Sequence, residues 1–100
     1  MTNREAEFIV LGDILYNNEI MPDIMDIVKP EDFSTTETQR YFQAMIYLYQ
    51  DNQPIDPVSI MDMVNKLGKV PDLQGDIMEM ITLGNPRSFA NLIKTKVKMK

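Results

Sequence analysis

The strongest constraint on this chain is its apolar pattern. Apolar side chains recur at spacings of three and four, in runs separated by proline, glycine and asparagine, and nowhere alternate strictly with polar ones over the length of a strand. Such spacing lines one face of a helix turning every 3.6 residues, whereas a half-buried strand needs a period of two. The pattern predicts an all-α fold: a compact bundle of about five short helices with one further helical segment at the end. At 100 residues the chain can hold one core and not two.

The first run predicts a helix over 4–16, with Ala6, Ile9, Val10, Leu11, Ile14 and Leu15 on a broad buried face and Phe8 widening it. A shorter helix follows over 20–28, anchored by Ile24, Ile27 and Val28 and filled in by Met21 and Met25; Pro22 and Pro30 limit its two ends. Pro30-Glu31-Asp32-Phe33 reads as a tight connection with Phe33 returned to the core. Ser34-Thr35-Thr36-Glu37 has the spacing of a capping box, in which the serine hydroxyl and the glutamate carboxylate each accept from the other residue's amide. The central helix that it starts carries Tyr41, Phe42, Met45, Ile46, Leu48 and Tyr49. Next, Asp56 caps, Pro57 takes the first helical position, Ile55 staples onto Ile60, and Gly68 ends a helix whose stripe is Met61, Val64 and Leu67. Residues 69–75 read as an irregular link, and 76–82 as a brief helix facing inward through Ile77, Met80 and Ile81.

Asn85-Pro86 repeats the cap-plus-proline signal, and the last segment has a narrow apolar line at Phe89, Ile93 and Val97, with Lys94 and Lys98 on another face. A stripe that narrow needs a partner helix: its own core, a second copy, or chain beyond residue 100. The segment meets no stop signal, which suggests a piece of a longer protein.

Composition narrows the chemistry. The chain has no cysteine, hence no disulfide, thiolate metal site or cysteine nucleophile, as expected in a reducing compartment. It has no histidine, the commonest general base and metal ligand. Neither GxxxxGK[ST] nor GxGxxG occurs, and Gly12, Gly68, Gly75 and Gly84 are isolated, as at helix ends and packing points. The carboxylate pairs Asp23/Asp26 and Asp72/Asp76 read as solvated helix faces, and Ser34 and Ser59 as cap and first-turn residues with no base to activate them. No catalytic residue, cofactor site or metal ligand is expected in this region. The first residues lack a signal-peptide pattern, and no apolar run approaches the roughly 18 residues of a membrane helix, so the expected location is cytoplasmic.

The nine methionines suit gap-filling in a helical core. The net charge of −5 conceals a division: residues 1–86 hold all 15 acidic and five basic side chains, a balance of −10, and residues 87–100 hold five basic and no acidic ones. The body therefore repels nucleic acid, while Arg87, Lys94 and Lys98 are candidates for contact with an acidic protein surface or phosphate. Alternate lysines from Lys94 to Lys100 do not share a helix face and have no interleaved aromatics.

Several of these stretches, in order, resemble the N-terminal domain of the bacterial and phage replicative DNA helicase family, the ring helicase that works with primase. Glu5-Ala6-Glu7, Val10-Leu11-Gly12 and Ile14-Leu15 look like its first helix. Lys29-Pro30-Glu31-Asp32-Phe33 resembles its turn. Tyr41-Phe42-Gln43-Ala44-Met45, Leu48-Tyr49 and Gln53-Pro54-Ile55-Asp56 resemble its central helix and exit, and Asn85-Pro86 with Asn91 the approach to a helical hairpin. The family's usual histidine early in the central helix is Thr38 here, and its paired glycines appear as Gly75-Asp76.

The resemblance implies a globular domain over 1–84 and the first part of a truncated hairpin over 85–100, with Phe89, Ile93 and Val97 beginning the hairpin interface. It further implies a collar of a hexameric ring, often a trimer of hairpin-paired dimers, that meets the C-terminal domain of primase and in some systems a helicase loader. ATP, Mg²⁺ and most single-stranded DNA contact would belong to a separate motor domain. A free-standing helical adaptor or inhibitor that binds primase, loader or helicase is the alternative; a coding frame continuing past Lys100 to GxxxxGK[ST] separates the two. A third reading, nucleic-acid binding through the lysines, requires strongly salt-dependent affinity.

Overall fold

The computed structural model describes residues 3–84. Five α-helices, α1 (Asn3–Tyr16), α2 (Met21–Ile27), α3 (Thr36–Gln50), α4 (Pro57–Leu67) and α5 (Leu73–Leu83), are joined by short loops. Two of those loops contain single 3₁₀ turns, Asn18–Ile20 and Pro30–Asp32. No strand occurs among the described residues, so the all-α expectation holds.

The core is one cluster built around α3, which contributes Tyr41, Phe42, Ala44, Met45 and Leu48, all buried. Phe33 does return to it, stacking on Phe42 with ring centroids 4.9 Å apart, and Phe8 meets Tyr41 edge-on. Several faces are rotated from the expected ones. In α1 the deepest positions are Phe8, Leu11 and Ile14, with Ile9, Val10 and Leu15 only partly covered. In α2 the anchors are Met21 and Ile24, whereas Ile27 is exposed. Met21, Ile24 and the half-buried Val28 are spaced three and four apart and share one face, which leaves Ile27 off it. Tyr49 is exposed rather than part of the α3 stripe.

The caps show which signals act locally. Asp56 starts α4 as expected: its carboxylate accepts from the Ser59 amide (2.8 Å), and the Ser59 hydroxyl accepts from the Asp56 amide (3.0 Å). The α3 box is displaced by one residue from the expected register. Thr35 accepts from the Thr38 amide (3.1 Å) and Thr38 Oγ1 from the Thr35 amide (3.3 Å). Ser34 is not the cap; its amide donates to the Glu7 carboxylate of α1 (3.0 Å). The fifth helix begins before the expected Asp76, because Asp72 caps it by accepting from the Gly75 amide (3.2 Å), which places Gly75 in its first turn.

Helices α1 and α5 pack extensively. At Gly12 the two backbone segments come so close that a Cβ would lie 2.1 Å from the Met80 carbonyl oxygen and 2.8 Å from Gly84 Cα. At the end of α1, Asn18 bridges to the approach to α4: its Nδ2 donates to the Ile14 and Ile55 carbonyls (2.8 and 2.9 Å), and its Oδ1 accepts from the Ile55 amide (2.8 Å). Gly68, at φ +149°, ends α4 in a conformation that L side chains rarely adopt.

Candidate interaction surfaces

The six residues singled out from sequence, Arg87, Phe89, Ile93, Lys94, Val97 and Lys98, lie outside the described residues. Within 3–84, two arrangements stand out.

The first is a polar tie between α1, α3 and α5. The Arg4 guanidinium lies over the Phe8 ring, 4.3 Å from its centroid, and pairs with Glu79 and, at 3.4 Å, with Asp76. The other Asp76 oxygen accepts from the Tyr41 hydroxyl. Burial, followed by the hydrogen bond to Asp76 and its charge, pushes the Tyr41 phenol well above its ordinary pKa. Arg4 is likewise held above its ordinary value, chiefly by its hydrogen bond to Glu79. These shifts stabilise the resting protonation states, so the tie does not provide an acid or base that could exchange protons near neutrality. A recess of 200 Å³ opens beside it, lined by Arg4, Thr35, Thr38, Asp72 and Asp76 among others.

Asp76 is thus not a solvated helix-face carboxylate but the joint between three helices. No sequence signal marks it, because its partners are 35 and 72 residues away. Thr38, which stands where the resembled family has its histidine, is buried and closes the α3 cap, its Oγ1 2.8 Å from Thr35 Oγ1.

The second arrangement is an open groove of 430 Å³ between the end of α3 and α4. Leu48, Val58 and Met63 give it apolar lining; Asp51, Asp56, Asp62 and Lys66 give it charge. Val58 is 77% exposed, the largest exposure among the large apolar side chains described. A signal for it existed: Val58 is out of register with the buried Ile60 and Val64, so the α4 stripe cannot cover it. Asp62 and Lys66 pair at 3.5 Å, both well exposed, which makes that pair weak and easily exchanged.

Among the described residues no group of three or more His, Cys, Asp or Glu side chains is placed to hold a metal ion, and no helix is long and apolar enough to cross a membrane.

A family model described as DnaB-like helicase N terminal domain matches residues 1–95. A replicative DNA helicase DnaB of Leifsonia xyli subsp. xyli (strain CTCB07) is 25% identical over 97 residues, covering 91% of the chain and 21% of that protein. A replicative DNA helicase DnaB of Rhodothermus marinus is 30% identical over 66 residues, covering 66% of the chain and 7% of the relative. Replicative DNA helicase DnaC of Bacillus subtilis (strain 168) is 25% identical over 100 residues, covering 94% and 22%. The chain therefore spans about a fifth or less of the length of these relatives. No solved structure matches.

Proposed function

The chain belongs to the DnaB-like helicase N-terminal domain family, and from that membership we propose that it is the N-terminal scaffold and interaction domain of a replicative DNA helicase. In this reading it supports assembly of the ring and receives the C-terminal domain of primase, with a helicase loader as a further partner. The observation that carries the reading is the extent of the family match, residues 1–95, together with relatives named as replicative DNA helicases. The absence of catalytic motifs is compatible with it: a collar domain needs surfaces, not reaction chemistry.

The division of labour follows. ATP hydrolysis with Mg²⁺ and most contact with single-stranded DNA belong to a motor domain elsewhere in the polypeptide. The protein works in the cytoplasm of a bacterial cell or a phage-infected bacterium. Segment 85–100 begins a helical hairpin, and Phe89, Ile93 and Val97 start the stripe that pairs with the same stripe of another copy. Arg87, Lys94 and Lys98 address an acidic surface.

The test is a titration of this domain against the primase C-terminal domain of the same replication system, with light scattering on each component alone. Saturable binding is expected. Failure of the two to associate up to their solubility limit would remove the primase role. For the hairpin, Ile93→Asp in a longer form of the chain is expected to abolish pairing, and unchanged association would sink that assignment.

A further inference from the structure

We propose that the groove between the end of α3 and α4 seats the basic segment 87–98 of a neighbouring copy, forming a second interface distinct from the hairpin pairing. This rests on the reading of the chain as a ring-forming collar domain and deepens it.

Symmetry supplies the need. Two identical stripes that pair with one another make an isologous contact, which satisfies both copies and stops at a dimer. A larger ring requires another pair of surfaces, and the two members of that pair are free to differ. Charge and shape then indicate which surfaces they are. The acidic side chains all lie between residues 5 and 79, and residues 87–100 carry five cations and no acid. Of the five cations within 3–84, Arg4 is turned onto Asp76 and Glu79, Lys29 onto the Met25 carbonyl, Arg40 onto the Lys69 carbonyl, and Lys66 onto Asp62, while Lys69 is exposed. The body thus presents mainly unneutralised carboxylates, and segment 87–100 is the complementary surface that the chain itself possesses.

Of the cavities, the α3–α4 groove fits best. The recess beside the polar tie already holds a guanidinium, that of Arg4. In the groove between Ala6, Val10 and Val28 the flanking carboxylates of Glu7 and Asp32 accept from the Ser34 and Lys29 amides. The α3–α4 groove combines an exposed apolar anchor, Val58, with the exposed carboxylates Asp51 and Asp62 at its rim; Asp51 accepts from the neighbouring Gln53 side-chain amide and Asp62 meets Lys66 in an exposed, readily exchanged pair, so neither is held by a buried partner. Rim charges of this kind steer association and choose partners, and they weaken with salt. With Phe89, Ile93 and Val97 engaged in pairing, Arg87, Lys94 and Lys98 are the positions left to meet that rim.

Zero-length carbodiimide cross-linking of the intact protein tests this, using a mixture of isotopically heavy and light copies so that links between copies are distinguished by mass. The expected result is Asp51 or Asp62 joined to Lys94, Lys96 or Lys98 across heavy and light copies. Val58→Lys, at an exposed position where the fold is expected to stay intact by urea denaturation, removes the apolar anchor and sets a cation against the basic segment, and should lower the yield about tenfold. Links confined to single copies, or a Val58→Lys yield equal to wild type, would overturn the proposal. Ile93→Asp reports separately on hairpin pairing: if it leaves dimers intact, the hairpin reading fails. If it abolishes them while the groove links are absent from the wild type, only the proposal fails.

Discussion

Helices α1 and α5 meet backbone to backbone at Gly12 and Gly84, and their side chains are tied across 72 residues of sequence by Arg4 and Asp76. Helices α3 and α4 instead start on boxes whose partners are three residues apart, and α3 supplies much of the apolar core beneath them. One side of the domain is therefore specified by distant residues brought together, the other mainly by signals acting within a turn, with Glu7 selecting the α3 register and Asn18 pinning the approach to α4. The locally specified side also carries the open groove. A surface whose backbone is organised by its own caps can afford exposed apolar groups such as Val58, because its fold does not depend on covering them.

Four measurements bear on that contrast, the largest expected effect first. Phe42→Ala empties a fully buried site stacked on Phe33 and should cost about 3–5 kcal/mol in urea denaturation. A loss below about 1 kcal/mol would mean that α3 is not the centre of the core. Gly12→Val should cost about 3 kcal/mol, since its Cβ falls on the Met80 carbonyl and neither backbone can move away cheaply. A stability equal to wild type would show that α1 and α5 do not approach as described.

Tyr41→Phe removes one donor to Asp76 and should cost about 1.5–3 kcal/mol near neutral pH, the range for a hydrogen bond to a charged group. The same variant has a pH signature. Because the folded state raises the Tyr41 pKa, the native chain binds the phenolic proton more tightly than the unfolded chain above pH about 10. Stability contributed by the protonated phenol is complete below that pH and is lost as pH rises further. The wild type should therefore lose more stability than Tyr41→Phe between roughly pH 10 and 11.5; parallel curves would remove the tie from the account. The smallest effect separates two cap registers. Thr35→Ala should cost about 1 kcal/mol and Ser34→Ala less than about 0.5, and the reverse order would restore the serine cap.

The residues show why some of this was readable. Helix content, the Asp56-Pro57 start, the Gly68 stop and the return of Phe33 all depend on neighbours within a few positions, so sequence spacing reports them directly. At the α3 start the local pattern points one residue early, because Ser34 and Thr35 are both good caps and the choice between them is made by Glu7, 27 residues earlier. The local pattern points to a late beginning of α5 because Gly75 reads as a break, whereas Asp72 caps the turn that contains it.

By itself the sequence determined an all-helical domain, the order of its elements, an acidic body ahead of a basic segment, and the family resemblance borne out by the match over residues 1–95. Tertiary structure decided that Asp76 joins three helices, that Gly12 and Gly84 touch, that Ile27 turns outward while Met21 turns in, and that Val58 borders a groove. The physical reason is range. Helix periodicity and capping act within about four residues and are written in local order. Pairing of charges and contact of backbones depend on where two helices cross, which no local pattern encodes.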